Sequence, residues 1–158
     1  MVDEMAKLTM LMGLPCTGKT YFSHTLSGIK IELDVLRKGA TGSAKLYGNF
    51  NELVHFLAQK SIQYYLSQDK QVVIDGLFLS AKTRKSYIDL AHKMKAEVDV
   101  YWFDLPIDLI KKRLIERNES SLEGDKVDVS QLNALCQAFD FPVKEEGFKN
   151  IYYLSKNE

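Results

Sequence analysis

The segment Gly13-Leu-Pro-Cys-Thr-Gly-Lys-Thr20 constrains this chain more than any other stretch. It follows the short apolar run Leu8 to Met12 and precedes residues with helical character from Lys19 to Leu26. An apolar strand, a glycine-rich turn and a helix in that order fit G-x-x-x-x-G-K-[ST] in the context that gives the motif meaning. Glycines let the backbone curl so that its N–H groups point inward, and the helix start adds a positive end. Lys19 then reaches the β- and γ-phosphates of a nucleotide, and the Thr20 hydroxyl is placed for Mg²⁺. Gly13, Leu14, Pro15, Cys16, Thr17, Gly18, Lys19 and Thr20 are thus the expected cradle for ATP. The bland reading of the same residues is a glycine turn that happens to precede a helix.

Apolar runs and helical periodicities alternate along the rest of the chain. Strands are expected at Ile29 to Leu33, Val72 to Asp75, Val98 to Phe103 and Ile151 to Leu154. Helices are expected from Asn51 to Ser67, around Tyr87, Ala91 and Met94, from Pro106 through Leu114, and as a last long helix through Leu132, Leu135 and Phe139. Lys38 to Gly48 carries three glycines and reads as a loop, and Ser120 to Asp128 is polar and expected to be mobile. Alternation of this kind predicts an α/β fold with a parallel sheet covered on both faces and ligands at the carboxyl ends of the strands. Gly13, Asp34, Asp75 and Asp104 each directly follow an apolar strand, so they gather at one edge of the sheet.

Two acids and four arginines extend the reading. A phosphotransferase must orient the attacking oxygen and take its proton. Asp34 follows a strand and Arg37 lies three residues on, one helical turn away. Together they suit a hydroxyl nucleophile beside a phosphate, or else a helix cap with a surface arginine. Asp75 stands where nucleotide hydrolases place a Mg²⁺-linked carboxylate. Arg113 and Arg117 share one helix face and are placed to close over ATP as a small lid. Arg84 opens a helix and either touches phosphate or is solvated. Cys16 is either a thiol activated at a helix start or a small filler in the loop. His24, His55 and His92 have no metal-ligand spacing. The Tyr64-Tyr65 and Tyr152-Tyr153 pairs read as core and strand residues rather than stacking platforms.

Composition narrows the class. The chain has 158 residues, read as a single domain over 1–158. Its 21 basic and 21 acidic residues cancel, which argues against a protein that coats nucleic acid but leaves room for one local phosphate site. Two cysteines favour a reducing, cytoplasmic compartment over a disulfide framework. The N-terminal residues lack a secretory pattern, and no apolar run is long enough to span a membrane.

These motifs, in this order, resemble the small P-loop kinases related to the kinase domain of bacteriophage polynucleotide kinase. Gly-Leu-Pro-Cys-Thr-Gly-Lys-Thr is similar to that family's Gly-Leu-Pro-x-Ser-Gly-Lys-Ser/Thr. Leu33-Asp-Val-Leu-Arg37 is similar to its Asp-x-x-Arg acceptor motif. Val72-Val-Ile-Asp75, Arg84, Asp104-Leu-Pro106, Arg113 to Asn118, Pro142 and Glu146-Gly-Phe148 follow in the family's order. The resemblance implies a P-loop NTPase three-layer sandwich with a central parallel sheet of about five strands and a small helical lid. It implies ATP and Mg²⁺ as cofactors. Asp34 would be the general base for a 5′-hydroxyl, with Arg37 on the adjacent phosphate. Lys19 and Thr20 would serve the donor phosphates and the metal. Asp75 would order the acceptor or the metal site, and Arg117 would reach the donor phosphates. The sequence departs from the family at Gly76 and at the acidic stretch Glu119 to Gly124. A nucleic-acid 5′ end is therefore the first expected acceptor, a small hydroxyl compound or modified nucleoside the second, and a non-catalytic ATP switch the third.

Overall fold

A computed structural model describes residues 5–43, 50–122 and 126–155. Among the described residues five strands form one sheet: β1 (Lys7–Gly13), β2 (Ile29–Glu32), β3 (Gln71–Asp75), β4 (Glu97–Asp104) and β5 (Asn150–Ser155). Their order across the sheet is β2-β3-β1-β4-β5. Every pairing is parallel. Strand β1 lies in the middle because it is the most continuously apolar, and Leu8 to Met12 are buried on both faces. Its partners lie in opposite directions, β3 on one side and β4 on the other. The strand order therefore switches at β1, and the phosphate loop leaves the sheet from that strand's carboxyl end. This is the α/β sandwich of P-loop nucleotide-binding proteins.

The helices are α1 (Lys19–Ser23), α2 (Leu33–Thr41), α3 (Asn51–Ser67), α4 (Ala81–Lys93), α5 (Ile107–Glu119) and α6 (Gln131–Gln137). On one face, Leu8, Met10, Met12, Ile74 and Val100 meet Val54, Ala58 and Ile62 of α3 and Tyr87, Ile88 and Ala91 of α4. On the other face, Leu11, Val73 and Phe103 meet Phe22, Leu26 and Leu154. A third cluster joins Ile110 and Leu114 of α5 to Val127 and Leu132, with Leu14 and Cys16 of the phosphate loop packed against it.

Several expectations need correction. Helix α2 runs through Lys38 to Thr41, which the glycine count had marked as loop. The break comes at Gly42, in the left-handed region at φ 81°, and 44–49 lie outside the described residues. Helix α6 is short rather than long: the chain turns at Ala138 and sends Phe139 and Phe141 onto Trp102, at 5.4 and 5.0 Å between ring centres. Contacts among the three rings take the place of another helical turn there. Helix α1 ends at Ser23, and irregular turns carry the chain through Leu26. Helix α3 has the expected bounds; its buried stripe is Val54, Ala58, Ile62 and Leu66, and Tyr64, read from the sequence as core, is exposed. The polar stretch expected to be mobile is pinned at its far end. Asn118 donates to the Val127 carbonyl at 2.7 Å and accepts from its N–H at 3.1 Å, and 123–125 lie outside the described residues. No helix among the described residues is long and apolar enough to cross a membrane.

Candidate functional site

The loop after β1 is a ring of backbone held by its own side chains. Gly13 has φ 152° and sits so close to β4 that an added Cβ would lie 2.7 Å from the Phe103 carbonyl oxygen. Gly18, at φ 92°, has open space around it, so only its left-handed backbone calls for glycine there. Cys16 takes a left-handed conformation at φ 61°. Thr17 Oγ1 donates to the Leu14 carbonyl at 2.9 Å. Lys19 is buried and folds back across the loop, donating to the carbonyls of Gly13 at 2.8 Å and Leu14 at 2.7 Å. Burial brings its ammonium down to about 8, against the pull of Asp75 and Asp34.

Thr20 Oγ1 donates to Asp75 Oδ2 at 2.5 Å. Asp75, at the end of β3, is buried, and desolvation raises its pKa above the ordinary carboxylate range; the Thr20 hydrogen bond and the Lys19 charge oppose the rise. Among the described residues no group of three or more His, Cys, Asp or Glu is placed to hold a metal. Thr20 and Asp75 are a two-oxygen set. It suits an ion such as Mg²⁺, which takes most of its ligands from phosphate and water.

A cleft of about 620 Å³ joins this loop to the start of α2. Asp34 lies in the first turn of α2 with its side chain 54% exposed, and it accepts from Arg37 Nη1 at 2.9 Å. Arg37 is nearly enclosed, and its Nη2 donates to Asn51 Oδ1 at 3.1 Å. Glu32, His55, Asp75 and Arg117 also line the cleft. Burial raises the Glu32 pKa, and the nearby Asp75 and Asp34 add to the rise. The opening therefore has a cationic, hydrogen-bond-donating loop on one wall and a carboxylate-arginine pair on the other.

Arg113 and Arg117 both touch the loop at Cys16. Arg113 Nη1 donates to the Cys16 carbonyl at 3.2 Å, and Arg117 Nη1 lies 3.8 Å from its Sγ. Arg117 lines the cleft and Arg113 does not. Arg84 departs from the expectation of a phosphate contact or a solvated side chain. It is fully buried below the cleft floor, paired with Glu146 at 2.8 Å, and it donates to the carbonyls of Phe78 at 2.8 Å and Leu79 at 3.1 Å. Those bonds make it a clamp between the start of α4 and the segment before β5. Asp104 also lies outside the cleft and accepts from Tyr153 at 2.6 Å. Glu32, Asn51 and His55 were not singled out as site residues from the sequence. The one available signal was that Asn51 and His55 are four apart at the start of a helix, and which way that face points is set by the packing of α2 on α3.

Comparison with known proteins places these features in a family. A family model described as an AAA domain matches residues 8–142, from β1 to beyond α6. A chain in the structure of the Pnkp1/Rnl/Hen1 RNA repair complex is 25% identical at a TM-score of 0.67. The match covers 87% of this chain and 47% of that one, so this chain spans about half of its relative's length. Chaetomium thermophilum Kti12, solved in complex with ADP-AlF3, shares the fold at a TM-score of 0.72 and 14% identity, over 95% of this chain and 89% of that one. A gluconokinase from Sinorhizobium meliloti 1021 shares it at a TM-score of 0.61 and 15% identity, over 98% and 85%.

Proposed function

Because the chain belongs to the AAA domain family, we propose that it is an ATP-dependent kinase whose acceptor is a hydroxyl group, first of all the 5′-hydroxyl of a polynucleotide. The observation that carries the reading is the Asp34–Arg37 pair, set in the same cleft as the phosphate loop. A loop alone binds a nucleotide. A half-exposed carboxylate beside a guanidinium gives the transfer a second substrate.

Each residue then has a task. The loop N–H groups and Lys19 hold the donor phosphates, and Lys19 exchanges the Gly13 and Leu14 carbonyls for phosphate oxygens. Arg117 neutralises charge that develops on the transferred group. Asp34 accepts the proton of the attacking hydroxyl, and Arg37 orients the acceptor. Thr20 and Asp75 would hold Mg²⁺, which when bound neutralises the donor phosphates. The RNA repair complex among the structural relatives supports a polynucleotide acceptor.

The test is transfer of label from γ-labelled ATP with Mg²⁺ to a panel of DNA and RNA ends bearing 5′-hydroxyls. Labelling that depends on Asp34 is expected. A panel that stays unlabelled while ATP still binds would sink the polynucleotide reading. It would favour the second one, a kinase of a small hydroxyl compound, which draws on the zero net charge and on sugar-kinase relatives of the same fold.

A further inference from the structure

The transfer steps above give no task to His55, which lines the cleft, or to Tyr87 behind it. Tyr87 of α4 is wholly enclosed, with its ring edge-on to Phe78 at 4.9 Å and to His55 at 5.7 Å. Its hydroxyl lies 2.7 Å from His55 Nδ1. A buried phenol O–H needs an acceptor, and Nδ1 is the one that the described residues supply. Tyr87 therefore donates and Nδ1 accepts. In the neutral ring the proton then sits on Nε2. Burial and the neighbouring Arg37 guanidinium hold His55 below the ordinary histidine range, so the ring is neutral near pH 7.

His55 lines the cleft one helical turn after Asn51, the residue that holds Arg37 Nη2. The ring thus brings a directed, uncharged N–H donor to the part of the cleft that Arg37 supplies with charge. We propose that His55, fixed as an Nε2–H donor by the Tyr87 hydroxyl, binds the acceptor substrate jointly with Arg37, at an anionic oxygen of a phosphate next to the accepting hydroxyl, as in a nucleoside 3′-monophosphate. His55 is the binding group and Tyr87 a positioning residue that acts through it. The inference rests on the acceptor-side reading of the cleft given above.

Two measurements test it. Nitrogen-15 NMR of the imidazole reports the tautomer directly. The Nε2–H form is expected in the unaltered protein and a mixture in Tyr87→Phe, which keeps the ring and loses only the hydroxyl. Calorimetry with nucleoside 3′-monophosphate, the matching nucleoside and ATP reports the contact. His55→Ala should weaken the 3′-monophosphate about tenfold and Tyr87→Phe about threefold, with the nucleoside and ATP unchanged, as expected for one hydrogen bond to a charged group. His55→Gln, whose amide N–H stands near the Nε2 position, should restore most of the loss. An Nδ1–H tautomer, absent binding of the 3′-monophosphate, or equal losses for nucleoside and 3′-monophosphate would overturn the proposal and leave a packing pair. Binding that depends on His55 without any phosphoryl transfer would sink the kinase reading and spare this one. Transfer with an acceptor preference indifferent to His55 would do the reverse.

Discussion

The two walls of the cleft are built in different ways. The phosphate loop is one stretch of eight residues whose Thr17 and Lys19 side chains bond back to its own backbone, Thr17 to Leu14 and Lys19 to Gly13 and Leu14. The facing wall takes Asp34 and Arg37 from α2, Asn51 and His55 from α3, and Tyr87, behind them, from α4. A wall made of one segment is specified by local chemistry. A wall made of three helices is specified only by how they pack, and small changes in packing re-aim it. Under the proposed function, donor binding is thus the more robust property, and acceptor choice the more easily altered one.

The largest expected effect separates the walls outright. Asp34→Asn should lower phosphoryl transfer 10²–10⁴-fold, the range of a lost general base, and leave ATP affinity within about twofold. Lys19→Met should lose transfer and weaken ATP together. Parallel calorimetry and labelling read both, and equal ATP loss in the two variants would break the contrast. Next comes the clamp beneath the cleft. Arg84→Met leaves Glu146 without its partner and frees two buried carbonyls, so unfolding in urea should show a loss of about 3 kcal/mol. A fold that stays intact with selectively weakened acceptor binding would instead return Arg84 to the site.

The smallest effect is a pH dependence. Lys19 has its folded pKa lowered from 10.5 to about 8. Between those values the unfolded chain carries a proton that the folded one has released. Folding stability should therefore rise with pH across 8 to 10.5, by at most about 3 kcal/mol. Subtracting the same curve for Lys19→Met isolates this group from the others that titrate nearby. Saturating ATP should flatten the rise, because phosphate returns a counter-charge to the ammonium. A curve that ATP leaves unchanged would separate Lys19 from the donor phosphates.

How much of this was legible in the sequence follows the same division. The strands showed as apolar runs because a parallel sheet buries both faces. The loop showed because its chemistry is contiguous, and Asp34 and Arg37 showed because they are one helical turn apart. His55 did not, since its partners Tyr87 and Arg37 lie 32 and 18 positions away along the chain and meet it only after α2, α3 and α4 have packed. Arg84 misled because arginine is almost never fully buried without a partner, and that partner, Glu146, is 62 residues on. The short α6 misled because Phe139 fits a helical period as well as it fits Trp102.

Leu14 and Cys16 belong to two structures at once. Their backbone forms the phosphate loop, and their side chains cover the small apolar cluster of Ile110, Leu114, Val127 and Leu132. The segment expected to act as a lid, α5 and α6, is thus not hung on a separate hinge; it is packed directly against the phosphate loop. Whatever stiffens the loop, a bound triphosphate included, also narrows the freedom of α5 and α6. Loosening that cluster, even far from any phosphate, would in turn be felt as a higher entropic cost of nucleotide binding.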